Sequence, residues 1–174
     1  MIPGLSIGTL LLAHVAISLI GIATGLIAMP ALAAGRFLPG WQAAFLAATA
    51  ATSITGFLFP FGGVTPAFAF GLASLAVLAI AGFALPHRAG APWGRVAYGI
   101  SATIALYLNV FVLVVQAFHK LPALQSLAPT QSEPCFAIAQ LAVLLAHLAI
   151  GWLASRAPRV GTGRPPADRP YLAY

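Results

Sequence analysis

Two histidines stand in long apolar tracts, His14 near the start of the chain and His147 near its end. Neutral imidazole is a common ligand of metals and of haem iron. Two imidazoles held at one depth by two helices would clamp a single b-type haem. At about 1.5 Å per residue, His14 falls about 15 Å and His147 about 18 Å from the outer ends of their helices. The two helices run in the same direction, so the spacing predicts nearly equal depth. Gly21, Gly25 and Gly151 would leave room for the macrocycle, and Tyr or Arg side chains near a surface would hold its propionates. With one such pair, electron transfer between two haems is excluded. In a second chemistry the same histidines join Thr52, Asn109, Gln116 and Gln140 around a polar pocket open to the outside, for a small substrate or an ion. No carboxylate lies within the apolar tracts, so only the histidines, with a reference pKa of about 6.5, would relay protons there. In a third, each polar side chain makes one or two interhelical hydrogen bonds, each worth about 0.6–2 kcal/mol. The chain would then be a packing subunit or an assembly factor, without cofactor.

Other constellations are sparser. His119, Lys120, Glu133 and Cys135 fall in the most polar tract, Gln116–Cys135. His, Glu and Cys are ligand types that suit zinc or copper, but their spacing fits no metal motif, and no metal is expected. Lys120 at a helix C-terminus and Glu133 just before a helix N-terminus each complement a helix dipole, and their opposite charges would let them pair with each other. Leu121, Leu124 and Leu127 in the same tract suggest a short helical segment on the interface. At the opposite end, His87, Arg88, Trp93, Arg95 and Tyr98 surround the start of another apolar tract. They read as a basic interfacial anchor, or as a site where Arg88 and Arg95 bind a headgroup or propionates. No HExxH, Ser-His-Asp set or phosphate loop is present, which leaves hydrolytic and nucleotide-driven chemistry without a basis. Cys135 is the single cysteine, so no internal disulfide can form.

The elements that carry these residues follow from composition. The 174 residues are 61% hydrophobic and 6% charged, against about 25% charged in soluble domains. The mean hydropathy is +0.99. A water-exposed globule is excluded, and strands are too, because barrel strands alternate apolar and polar. The charged residues leave uncharged runs at 1–35, 37–87, 96–119 and 134–155. About 20 residues are needed per crossing. The run 37–87 holds two crossings, divided by the turn residues at 59–66. The expected fold is an all-α integral membrane bundle of five transmembrane helices, at about 4–29, 41–60, 66–86, 95–119 and 135–155. All fourteen prolines are placed at or outside helix ends, where a missing N–H is harmless.

Five crossings put the termini on opposite sides. One side collects seven arginines and the other only Lys120, so the positive-inside rule sets the N-terminus outside and the C-terminus in the cytoplasm. Trp41, Trp93 and Trp152 fall on the basic side, as an interfacial belt would. Residues 1–155 form one transmembrane domain. The segment 156–174 reads as a basic, Pro-rich disordered tail. The first span lacks a basic n-region and is too long for a signal peptide's apolar core, so it is read as retained. Topology accounts for the net charge of +6, so nothing points to nucleic acid. The partners implied are the lipid bilayer and, within it, a second copy of the chain or a larger membrane complex.

Within the spans, small and polar residues mark the faces that meet. They are His14, Ser18, Gly21 and Gly25 in the first span; Ala44, Ala48, Thr52 and Gly56 in the second; Tyr98, Ala105, Asn109, Gln116 and Lys120 in the fourth; and Gln140, His147 and Gly151 in the fifth. The tracts 52–60, 107–116 and 128–134 resemble a group of small multi-pass bacterial inner-membrane proteins of unknown function. That resemblance covers most of residues 1–155 and implies a bacterial inner membrane and no particular reaction. Together these features favour a non-enzymatic transport or accessory subunit. A single-haem redox protein ligated by His14 and His147 is the alternative.

Overall fold

The computed structural model describes residues 6–59 and 66–156. It contains α1 (Ile7–Ala33), α2 (Pro39–Gly56), α3 (Pro66–Ala84) followed by a 3₁₀ turn (Leu85–His87), α4 (Pro92–Lys120), the one-turn α5 (Pro122–Gln125) and α6 (Pro134–Arg156). No strand occurs among the described residues. The tail from 157 onward, the start of the first span before residue 6 and the turn at 60–65 lie outside the described residues.

Among the described residues, four helical segments are long and apolar enough to cross a membrane: Ile7–Ala33, Phe68–His87, Pro92–Lys120 and Pro134–Arg156. The expected fifth, α2, is not among them. It is 18 residues long and carries Gln42, Thr49, Thr52, Ser53 and Thr55, so its own composition does not qualify it.

The helix boundaries show where local chemistry acts. Ser6 caps α1, its hydroxyl accepting from the Thr9 amide at 3.1 Å. The α1 C-terminus differs from expectation. Pro30 lies inside the helix, on an exposed position where the carbonyl it leaves unbonded is not enclosed by neighbouring helices. The stop comes at Gly35, which adopts φ 78°. There the Arg36 amide donates to the Ala31 carbonyl and the Gly35 amide to Leu32, the paired bonds of a Schellman motif. Prolines begin α2, α3, α4, α5 and α6, where no helical N–H is lost.

Side-chain contacts fix the direction of each helix. His14 meets Thr55, Gly21 meets Thr49, Gly25 meets Phe45 and Gln42 meets the Ala28 carbonyl. These four contacts run in opposite sense along α1 and α2, so the two helices lie side by side and antiparallel over about 20 Å. Phe57 packs on Phe68 and Gly71, and Phe70 packs on Phe111. Gly99 meets Ala154, Thr103 meets Gly151, Tyr107 meets His147 and Phe118 meets Phe136. Consecutive long helices therefore alternate in direction. α4 is central, packed against α1, α2, α3 and α6.

The expected faces are the ones that pack. Gly21 and Gly25 are buried, Gly25 beneath Leu106 and Phe45. On α6, Gln140, His147 and Gly151 face α4. Ala44, by contrast, is exposed, as are Gln116 and Lys120 at the far end of α4. The buried core gathers at one end of the bundle, around Met29, Phe45, Tyr98, Leu106 and Ala154. That end also holds Arg36, Arg88, Arg95 and Arg156. Trp41, Trp93 and Trp152 lie exposed there, at the helix ends where a membrane interface would be met.

Candidate functional site

The half of α2 away from the arginines carries the polar cluster. Thr55 donates its hydroxyl to the Ala51 carbonyl at 2.8 Å. Its oxygen also lies within hydrogen-bond distance of His14 Nδ1, 2.9 Å away, joining α2 to α1. The ring also meets Phe59 edge-on. Asn109 Nδ2 donates to the Thr49 hydroxyl at 3.0 Å, joining α4 to α2. Ser18 bonds back to the His14 carbonyl. Thr52 sits between Thr49 and Thr55 in sequence, and the register of the hairpin places it opposite Ser18. Its Oγ1 is buried without a hydrogen-bond partner. The structure thus brings His14 and Thr52 to the α1–α2 seam and Asn109 to the adjoining α2–α4 seam.

The remaining residues expected at an outward pocket stand elsewhere. Gln140 Nε2 donates to the Phe111 carbonyl at 3.3 Å across α6 and α4, and its Oε1 is buried unpartnered. Gln116 is exposed. His147 is 6% exposed. Its Nδ1–H donates to the Val143 carbonyl at 2.8 Å, and its Nε2 is buried with no partner. Tyr107 closes over the ring, centroid to centroid 5.7 Å.

The two histidines are not brought together. His147 is level with Tyr107 of α4. Gly25 of α1 is level with Leu106, and His14 lies eleven residues closer to the N-terminal end than Gly25. The imidazoles therefore differ in depth by about 15 Å. Equal depth would require α1 and α6 to begin at the same level. Instead the N-terminal end of α1 extends beyond that of α6, and His14 is level with the first turn of α6. The geometry offers no slot in which both rings could ligate one iron.

The connection between α4 and α6 ends in a capped turn. Glu133 accepts from the Thr130 amide and hydroxyl at 3.1 and 2.9 Å, and from the Ser132 amide at 3.0 Å. Gln131, at φ 59°, donates to the Val115 carbonyl. Desolvation pulls the Glu133 carboxyl up, but these donors together outweigh it and hold its pKa below the ordinary value. Glu133 serves its own turn, and no ion pair to Lys120 forms. Cys135 points its thiol at the Leu127 carbonyl. His119 and Lys120 are exposed at the end of α4. No group of three or more His, Cys, Asp or Glu capable of holding a metal occurs among the described residues. The leucine-bearing segment 121–127 contains the short helix α5, as its spacing implies.

The basic end holds a feature that spacing alone did not reveal. Tyr98, 1% exposed, donates its hydroxyl to Gln42 Oε1 at 2.6 Å. Gln42, also 1% exposed, donates Nε2 to the Ala28 carbonyl at 3.0 Å. One buried chain of bonds thus ties α4, α2 and α1. Above it opens a cleft of about 280 Å³, lined by Phe37 and Pro39 from the α1–α2 connection, Leu85, Pro86 and Arg88 from the α3–α4 connection, and Gln42 beneath. The Arg88 guanidinium lies over the Phe37 ring, 3.2 Å from its centroid, a cation–π contact. Desolvation lowers the Arg88 pKa from its ordinary value, and the nearby Tyr98 opposes that shift. Arg95, one turn before Tyr98, has a buried Nε with no hydrogen-bond partner. Arg88 was singled out in the sequence by its position. Gln42 was not, because a lone Gln beside Trp41 carries no motif. None of the six residues expected at the outward pocket lines this cleft. No protein-family model, curated protein or solved structure matches the chain.

Proposed function

We propose that the chain is a non-enzymatic accessory subunit of the bacterial inner membrane, crossing it five times with its N-terminus outside and its basic end in the cytoplasm. One observation carries the reading: five side-chain hydrogen bonds tie one helix to another across the interior. His14–Thr55 joins α1 to α2, Asn109–Thr49 and Tyr98–Gln42 join α4 to α2, Gln42–Ala28 joins α2 to α1, and Gln140–Phe111 joins α6 to α4. Ties of this kind hold a bundle in one arrangement. The five-crossing form is supported by the antiparallel course of α2 beside α1. A helix too polar to insert alone becomes acceptable when its hydroxyls and amides are bonded to its neighbours. The arginines and tryptophans gathered at one end support the orientation. A transport role rests on the buried, unpartnered Thr52 hydroxyl between two of the ties.

The reading is tested by purifying the protein from haem-replete cells, recording a reduced-minus-oxidised spectrum, and comparing its migration in native gels with its monomer mass. A colourless protein that migrates within a larger assembly is expected. A Soret shift lost in both His14→Ala and His147→Ala would overturn it. So would a monomer that catalyses solute flux in vesicles and loses that flux in Thr52→Val.

A further inference from the structure

Four arginines, Arg36, Arg88, Arg95 and Arg156, occupy the basic end, and no carboxylate stands with them among the described residues. The chain has two acidic residues in all. Glu133 is spent on its own turn at the opposite end, and Asp168 lies outside the described residues. Among the described residues, the positive charge at this end thus has no carboxylate beside it. Arg36 and Arg156 sit on open surface, where any counterion serves. Arg88 and Arg95 are half-buried, and of the four only Arg88 lines the cleft. Its guanidinium is stacked on Phe37, which fixes the plane of the fork and leaves the N–H edges to a ligand.

The rest of the lining narrows the class of ligand. A free inorganic anion is held by several convergent donors, whereas this cleft offers one cation and an otherwise apolar wall of Phe37, Pro39, Leu85 and Pro86. Its floor, Gln42, is already committed to Tyr98 and Ala28. A ligand that matches must carry negative charge on one side and hydrocarbon on the other. The cleft opens between two interhelical connections at the level of the exposed Trp41 and Trp93, where headgroups meet acyl chains. Basic pockets at this level are where anionic headgroups settle. We propose that the cleft binds an anionic phospholipid from the bilayer, its phosphate on Arg88 and its glycerol and upper acyl segment along Phe37, Pro39, Leu85 and Pro86. The proposal rests on the membrane-embedded reading, which is checked separately by resistance of the chain to carbonate extraction.

The test is native mass spectrometry of the detergent-purified full chain, titrated with dioleoylphosphatidylglycerol, dioleoylphosphatidylcholine or inorganic phosphate. Phosphatidylglycerol should be retained in preference to phosphatidylcholine, and phosphate at the same concentration should not displace it. Arg88→Gln should weaken retention about tenfold or more, the scale of one charge-assisted hydrogen bond. Arg156→Gln removes the same charge from the same end outside the cleft and should change retention less than twofold. If Arg88→Gln does not fold, Arg88→Lys, which keeps the charge and loses the planar fork, should still weaken retention several-fold. Equal retention of the two lipids would overturn the proposal. Displacement by phosphate would overturn it in favour of a free-anion site. Equal losses in Arg88→Gln and Arg156→Gln would reduce it to diffuse charge. In a chain that resists carbonate extraction, any of these results leaves the embedded bundle standing.

Discussion

Replacing Gly25 by alanine should lower the stability of the detergent-solubilised protein by about 2–3 kcal/mol, the scale of overpacking a filled core. A methyl group at this position would stand 2.5 Å from Leu106 Cδ1 and 2.8 Å from Phe45 Cδ2. Neither neighbour has space to retreat, since Leu106 and Phe45 are both fully buried. Gly25 is where α1, α2 and α4 converge, so the strain can be relieved only by separating helices. That separation would stretch the His14–Thr55 and Gln42–Ala28 ties on either side. Gly82→Ala supplies the control, because nothing lies within 4 Å of its added methyl. It should be neutral or slightly stabilising, as alanine is the better helix former. Thermal unfolding of both variants in one detergent checks the pair. Equal behaviour would mean that the three helices do not meet at Gly25.

Gln42→Ala should cost about 2–4 kcal/mol, combining a cavity with stranded polar groups. The side chain is almost wholly buried, and its removal leaves the Tyr98 hydroxyl without its acceptor 2.6 Å away. Tyr98→Phe removes only the donor and should cost about 1 kcal/mol. Because the two residues share one bond, the double variant should be less destabilised than the sum of the singles. Gln42→Leu keeps most of the volume and should fall between Gln42→Ala and the native chain. Additive losses in the double variant would show that the bond contributes nothing to the packing of α2 between α1 and α4.

Much of this architecture was legible in the sequence because charge and proline mark the ends of apolar helices. Prolines at 39, 66, 92 and 134 open the long helices α2, α3, α4 and α6. Pro30 misled for a physical reason. A proline near a helix end is tolerated one turn inside it when the carbonyl it frees is not enclosed, and Gly35 was the true stop. The GxxxG face of α1 and the small face of α6 were also legible, since small residues allow close approach. What the sequence withheld was relative depth. Counting from helix starts assumes that the helices begin level, and the projecting N-terminal end of α1 moved His14 away from His147. Gln42 and Tyr98 were invisible as a pair for a related cause. They are 56 residues apart, and only the lateral register of α2 against α4 brings them together. Composition alone likewise leaves α2 short of a crossing, and its polar side chains make sense only with their partners in place.

The course of α2 decides the account most directly. In a Cys135→Ser background, single cysteines at Gly40 and Leu58 mark the two ends of α2. Gly40 has open space for a side chain, and Leu58 is exposed. Both are labelled in intact cells with a membrane-impermeant maleimide, before and after permeabilisation. Five crossings predict that Leu58→Cys is labelled from outside and Gly40→Cys only after permeabilisation. Labelling of both positions from one side would contradict the account, because α2 would then not cross and the ends of the described chain would share a side.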